Sequence, residues 1–242
     1  IRPLADAYAC FGLGETRRAL DWIQSQGIGQ IMLAGQIRPA ALFASRFDPL
    51  ARSLLRKLPA KNAHSIFGAV TDLLESEGLR VLPASTFMRE HIPQPGVLSR
   101  RRPDSRETTD IMHGLEAAEA LGQVDVGQTV VVKDGMVLAV EAFEGTNAAI
   151  RRGARLGGRG AVVVKTARIG HDMRFDIPVI GARTMPVLRR AGISALAFQA
   201  NRTILLDREI VTAAANRRGM AMVALENSLP PAPTLPEQPP PR

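Results

Sequence analysis

At 242 residues the chain has room for one large domain or two small ones, each with a real core. Its 31 basic against 23 acidic side chains (net +8) favour anionic partners, without choosing among nucleic acid, phosphorylated metabolites and acidic membrane surfaces. An aromatic share of 4% leaves few stacking platforms for single-stranded nucleic acid, the lone Cys10 excludes an intrachain disulfide, and no apolar run nears the roughly 20 residues of a membrane span.

In chain order, Tyr8-Ala9-Cys10-Phe11 reads as a strand, Gly12-Leu13-Gly14-Glu15 as a tight turn, and Thr16–Gln26 as a helix ended by Gly27. The Gly12-x-Gly14 turn is either an ordinary turn or a backbone cradle for a phosphate. Gln30 to Gly35 reads as the next buried strand, with Arg38 just beyond it, where open α/β sheets bind ligands. Helices are expected over Leu50–Leu58 and Ser65–Glu77, then a short strand over Leu79–Leu82. Alternating strands and helices predict parallel βαβ units.

Pro93, Pro95 and Gly96 place a domain boundary near residue 95. Arg100, Arg101, Arg102 and Arg106 follow, read either as a solvated linker or as a contact for anionic lipid or nucleic acid. Thr109 is expected to cap a helix carrying Ile111, Met112, Leu115 and Ala118 on one face. Val130–Val140 predicts a hairpin turning at Asp134-Gly135, and Asn147–Leu156 a short helix. Further on, Met185–Ala191 is expected as a helix, Ile193–Phe198 as a strand and Asn201-Arg202 as a second hairpin turn. Asp207 is expected to cap a helix to Arg218, and Met220–Leu225 to be the last strand. Residues 229–242 form a proline-rich tail expected to be disordered.

The densest chemical cluster is Lys165 to Gly181. A buried strand, Ala161–Val164, delivers Lys165, and a polar loop then carries Arg168, His171, Asp172, Arg174 and Asp176 before apolar structure resumes at Ile177. Cations of this kind suit phosphate oxygens; carboxylates suit a divalent cation or an attacking water. Solvated surface ion pairs are the other reading of such a loop. His171 is either a bystander or an acid–base group. Upstream, Val137–Val140 leads into Glu141-Ala142-Phe143-Glu144-Gly145-Thr146-Asn147, another strand that ends in polar residues at a helix start.

From Gly96 to Leu225 the chain closely resembles the LpxI-type UDP-2,3-diacylglucosamine pyrophosphatases of lipid A biosynthesis. The matching signatures are Asp125-Val126-Gly127-Gln128, Asp134-Gly135-x-Val137-Leu138-Ala139-x-Glu141, Glu144-Gly145-Thr146 with Ile150-Arg151-Arg152, and Lys165 followed by Asp172-x-Arg174-x-Asp176-x-Pro178-x-Ile180-Gly181. Gly12-x-Gly14-Glu15, Ala34-Gly35-x-Ile37-x-Pro39 and Glu75-x-Glu77-Gly78 fit in the amino-terminal part.

The resemblance implies two α/β domains, 1–95 and 96–228, with the active site in the cleft between them. The first is expected to be Rossmann-like and truncated, without the family's opening strand and glycine-rich turn. The resemblance also implies Mg²⁺-dependent cleavage of the substrate pyrophosphate to UMP and 2,3-diacylglucosamine 1-phosphate. It places the essential carboxylate on Asp176 and substrate binding on Glu144, Gly145, Thr146 and Asn147.

Residue chemistry adds Lys165 and Arg174 as phosphate clamps, with Asp172 beside Asp176 for metal or water and Glu141 as a third metal candidate. Gly12, Gly14 and Arg38 complete the expected substrate contacts. A cytoplasmic enzyme in peripheral contact with the inner membrane is expected, with no nucleic acid as partner. Ala63-His64, Asn147 and the altered spacing after Lys165 depart from the family pattern. They keep a non-catalytic sugar-nucleotide binder open as the alternative.

Overall fold

The structure, a computed structural model, describes residues 2–35, 45–58, 63–124, 126–167, 172, 174–175 and 177–226. Arg38, Asp125, Arg168, His171, Asp176 and the tail 229–242 lie outside these residues, as do the side chains of Ala63 and His64. Two units emerge from the packing: Ile1–Arg89 with Gly170–Ile177, and Glu90–Ile169 with Pro178–Arg242. The sequence reading kept all of 96–228 together, whereas Gly170–Ile177 packs with the first unit.

Unit 1 contains α1 (Thr16–Ser25), β1 (Gln30–Met32), α2 (Pro49–Lys57), α3 (Ala63–Ser76) and β2 (Arg80–Leu82). Strands β1 and β2 pair in parallel, Gln30 opposite Arg80 and Met32 opposite Leu82. Leu74, Leu79 and Val81 form the core, packed by Ile23, Ile31, Leu33 and Val70. Tyr8–Phe11 is no strand: among the described residues the unit 1 sheet consists of β1 and β2, and 8–11 runs as irregular chain.

One carboxylate fixes two helix starts here. Asp48 Oδ1 accepts the Ala51 N–H of α2 at 2.7 Å, and Oδ2 accepts the Arg17 N–H of α1 at 2.8 Å. Burial pushes the Asp48 pKa up, but the N–H donors of Ala51, Arg17 and Leu50 outweigh it and hold the carboxyl below its usual range.

Unit 2 is built on a six-stranded sheet: β3 (Gly96–Val97), β4 (Thr129–Lys133), β5 (Met136–Val140), β6 (Val162–Lys165), β8 (Ala195–Gln199) and β10 (Ala221–Leu225). Their spatial order is β3-β10-β8-β6-β4-β5. Strands β6, β8 and β10 are parallel, while β3, and β4 against β6, run antiparallel to their neighbours. The unbroken apolar runs of β4, β6 and β8 fit interior strands covered on both faces.

Helix α4 (Ser105–Gln123) covers one face through Ile111, Leu115 and Ala118. The other is covered by α5 (Thr146–Gly157), α6 (Met185–Ala191) and α7 (Arg208–Arg217), packed on Val131, Val163, Leu196 and Phe198. A separate parallel pair, β7 (Val179–Ile180) and β9 (Ile204–Leu205), completes the unit. The β4–β5 hairpin turns at Asp134-Gly135 as expected, both residues with positive φ (51° and 75°).

Three expectations are corrected. No hairpin turns at Asn201-Arg202: β8 pairs in parallel with β6 and β10, and β9 leaves to pair with β7. Helix α4 is capped by Asp104, not Thr109. The Asp104 carboxylate accepts the Glu107 N–H at 2.7 Å and Glu107 accepts the Asp104 N–H at 3.0 Å, a reciprocal capping box. Asp207 precedes α7 without a capping bond from its side chain, because its own backbone is left-handed (φ 52°).

Within the 100–106 stretch Arg100 and Arg102 are exposed, but Arg101 and Arg106 are half-buried rather than solvated. Arg101 grips Glu107 with two bonds of 2.6 and 2.8 Å and donates to the carbonyls of Ser194 and Gly219. Arg106 reaches Asp110 at 3.1 Å and the Gly160 carbonyl at 3.1 Å. Asp110 in turn accepts the Asp134 and Gly135 N–H groups at 3.1 and 2.8 Å. These pairs therefore tie the start of α4 to the loops that feed β6, β8 and β10 and to the β4–β5 turn.

Glu107 is only 2% exposed. Desolvation pushes its pKa up, yet the bonds from Arg101, Ser194 and the Asp104 N–H bring it below the usual carboxylate range. Glu107→Ala should cost about 3–5 kcal/mol, because it strands a partly buried guanidinium, measured by chemical denaturation at pH 7. The wild-type advantage is complete above the ordinary glutamate pKa of about 4.3 and fades as pH falls through the lower folded value. The difference between the two proteins should accordingly shrink in acid.

Candidate active site

Strand β4 lies between β5 and β6 and runs against both, so its first residue meets their last ones. Thr129 pairs with Lys165 at the end of β6, and its carbonyl accepts the Glu141 N–H just past β5 at 2.7 Å. Helix α5 begins at Thr146, whose hydroxyl sits between the two charges. It donates to the Glu141 carboxylate, at 3.0 Å from Oε1 and 3.1 Å from Oε2, and accepts from Lys165 Nζ at 3.2 Å. The buried Thr129 hydroxyl is 3.5 Å away. Four residues from four elements thus meet at the carboxyl ends of β5 and β6, beside the positive end of a 12-residue helix.

The Glu144–Asn147 turn plays a divided part. Glu144 bonds Arg152 at 2.5 Å and accepts the Ala142 N–H at 3.2 Å, while Arg152 also donates to the Val140 carbonyl at 2.7 Å. The Arg152 bond holds the Glu144 pKa below its usual range. Glu144 is therefore a brace that shapes the turn. Gly145 accepts the Ala148 and Ala149 N–H groups through its carbonyl, and Asn147 is exposed in the first helical turn.

Gly127 supports the cluster from below. Its backbone, with φ of 52°, passes so close to β5 that a Cβ would stand 1.9 Å from the Glu141 carbonyl oxygen. Beside it, the Thr166 N–H donates to the Gln128 carbonyl at 2.9 Å. At the end of β8 the buried Gln199 accepts the Ala167 N–H at 2.7 Å and steers the chain as it leaves β6. Sequence reasoning missed Thr129 and Gln199. A polar residue at either end of a valine- or alanine-rich strand is the signal that marks both.

Asp172 and Arg174 belong to unit 1. The Asp172 carboxylate accepts from Arg174 Nε at 3.0 Å and from Nη2 at 2.6 Å, and the remaining Nη1 reaches Glu75 on α3 at 2.8 Å. Phe175 stacks on Phe67 of the same helix, centroids 5.7 Å apart. The bonds from Asp172 and then Glu75 raise the Arg174 pKa still further above its usual value, so it stays charged. Arg174, expected to grip phosphate, thus has both of its edges taken by carboxylates, and Glu75 is the partner that sequence reading did not assign.

Gly12 and Gly14 also have internal duties. The Gly12 N–H is given to Glu15 at 2.6 Å. A Cβ on Gly14 would stand 1.9 Å from the Arg46 carbonyl oxygen, so its role is close packing.

No group of three His, Cys, Asp or Glu able to enclose a metal occurs among the described residues. Magnesium is commonly held by one or two carboxylates plus substrate phosphate oxygens, and the half-buried Glu141 offers such a carboxylate.

Residues 1–91 match the LpxI N-terminal domain and residues 94–223 the LpxI C-terminal domain. The chain belongs to the LpxI family. Among its curated relatives, the UDP-2,3-diacylglucosamine pyrophosphatase LpxI of Caulobacter vibrioides (strain ATCC 19089 / CIP 103742 / CB 15) is 32% identical over 241 residues. That similarity covers 93% of this chain and 85% of the relative. The LpxI C-terminal match contains Thr129, Glu141, Thr146 and Lys165, and also residues 170–177, which pack in the unit that otherwise carries the LpxI N-terminal match.

Gly127→Ala should displace the Glu141 strand end and lower stability by about 1–3 kcal/mol. Thermal denaturation reads the loss. Amide exchange at Glu141 should rise with it, since its N–H bond to Thr129 would be the first to loosen.

Proposed function

We propose that this chain hydrolyses the pyrophosphate bond of UDP-2,3-diacylglucosamine, releasing UMP and 2,3-diacylglucosamine 1-phosphate. The observation that carries the reading is the similarity to the Caulobacter vibrioides enzyme along nearly the whole chain. Site chemistry agrees with it. A diphosphate bridge needs its oxygens neutralised and a water placed in line with the leaving phosphate.

Lys165 supplies the cation, drawn toward the site by the Thr146 hydroxyl. The first-turn N–H groups of α5 supply donors along the helix axis. Glu141, held by Thr146, is placed to orient water or to ligate a cation. Asp176 is the carboxylate assigned the essential role through its motif, and Asp172 is a second carboxylate suited to holding Mg²⁺ or orienting water. Bound Mg²⁺ would offset charge on the phosphate oxygens. The Asp172–Arg174–Glu75 chain ties Asp172 and Arg174 to α3.

No helix of the described residues is long and apolar enough to cross a membrane. We place the enzyme in the cytoplasm, in peripheral contact with the inner membrane, where its diacylated substrate partitions.

Incubating the full chain with UDP-2,3-diacylglucosamine and Mg²⁺ should release UMP; folded protein that releases none overturns the reading. Lys165→Ala should lower kcat by about 10²–10³, the usual range for losing one electrostatic stabiliser. Asp176→Asn should abolish turnover while leaving substrate binding largely intact. Chelation by EDTA should stop UMP release and added Mg²⁺ restore it. Tight binding without turnover under all of these conditions would instead favour a sugar-nucleotide binder, the reading suggested by Ala63-His64 and Asn147.

A further inference from the structure

Unit 2 has a second surface that the hydrolytic chemistry leaves unused, at the other end of its sheet. A cavity of about 880 Å³ opens where β6, β8 and β10 begin, lined by residues of α6 and α7. Arg159, Arg189, Arg217 and Arg218 stand around it, all exposed. Among the described residues none of the four is ion-paired, unlike Arg101, Arg106, Arg152 and Arg174, and no Asp or Glu lines the cavity.

The floor is apolar: Met185, Ile193 and Met220 are 8%, 7% and 4% exposed. Ile210, 59% exposed, stands at the rim on α7. An adjoining hollow shares Arg217 and is lined by two further arginines, Arg100 and Arg208, with one carboxylate, Glu209.

Four guanidinium groups without a counter-charge repel one another, and an anion bound among them relieves that repulsion. Their planar forks match phosphate oxygens. Free phosphate would satisfy the rim and leave the floor wetted. A nucleic acid would seek aromatic platforms, and none lines the cavity. A phospholipid uses both halves, phosphate on the arginines and acyl chain against the floor.

We propose that this face docks on an anionic phospholipid bilayer, with lipid phosphates on the arginine rim and Ile210 at the acyl boundary. The proposal gives the membrane contact of the functional reading a definite surface, though its chemistry stands without that reading.

The test is co-sedimentation of the full chain with phosphatidylcholine vesicles, with and without phosphatidylglycerol, at physiological salt. Binding should require phosphatidylglycerol. It should weaken by roughly 10³-fold in R159Q/R189Q/R217Q/R218Q, at about 1 kcal/mol per basic residue at such a surface, and change little in R52Q/R56Q/R80Q/R89Q, which removes equal charge from unit 1. Ile210→Ser should weaken binding without altering charge. UMP release from substrate in detergent micelles should be the same in every variant, which separates this proposal from the functional one. Equal loss in both quadruple variants overturns the proposal, as does vesicle binding that inorganic phosphate abolishes. So does duplex DNA that binds through the same four arginines more tightly than vesicles do.

Discussion

The placement of β4 between β5 and β6, antiparallel to both, is the constraint on which the candidate site depends. A strand inserted in that direction puts its own beginning beside the ends of its neighbours. Thr129 therefore meets Lys165 through the ladder and Glu141 through a backbone bond, before any side chain is considered. Thr146 then joins the two opposite charges through one hydroxyl. The distances among these groups follow from sheet register, and register follows from buried valines on both faces. Slipping β4 by one residue would turn Val130 and Val132, which face α4, toward α5 and bring Val131 round in their place.

The opposite end of the same sheet is fixed by charge. Glu107 and Asp110 are almost wholly buried, and each is satisfied by an arginine together with backbone donors. Breaking one such pair costs more than forming it gains, because the survivor is left without a partner in a poorly solvating place. Six arginines nearby, Arg100, Arg159, Arg189, Arg208, Arg217 and Arg218, are not spent in this way among the described residues. The contrast separates arginines that hold the fold from those that face outward.

Much of this was legible in the sequence, for definite reasons. Long apolar runs such as Val130-Val131-Val132 and Val162-Val163-Val164 mark interior strands, and Asp134-Gly135 marks its turn without ambiguity. What escaped were the long-range pairings. Asn201-Arg202 has the local chemistry of a hairpin, but the choice of partner for β8 was decided by the parallel neighbours β6 and β10. Arg101 and Arg106 look solvated in sequence because their carboxylate partners are hidden on a helix face. Asp104 outcompeted Thr109 as the cap because Glu107 could return the bond. Lys165, Glu141 and Thr146 were recognised singly from strand ends and motifs. Their convergence through Thr129 depends on an antiparallel insertion that no local pattern announces. Arg174 was read as a ligand contact since nothing local reveals that Glu75, 99 residues earlier, already holds it.

The chain enters unit 1, leaves it, and comes back for Gly170–Ile177 before finishing in unit 2. A growing polypeptide leaving the ribosome must therefore wait until that return stretch is made before Arg174 can reach Glu75, by which time most of the second sheet has already been translated. The first unit is begun early and closed late. A gene split between residues 92 and 93, where the sequence changes from one family domain to the next, would part these two residues onto separate polypeptides.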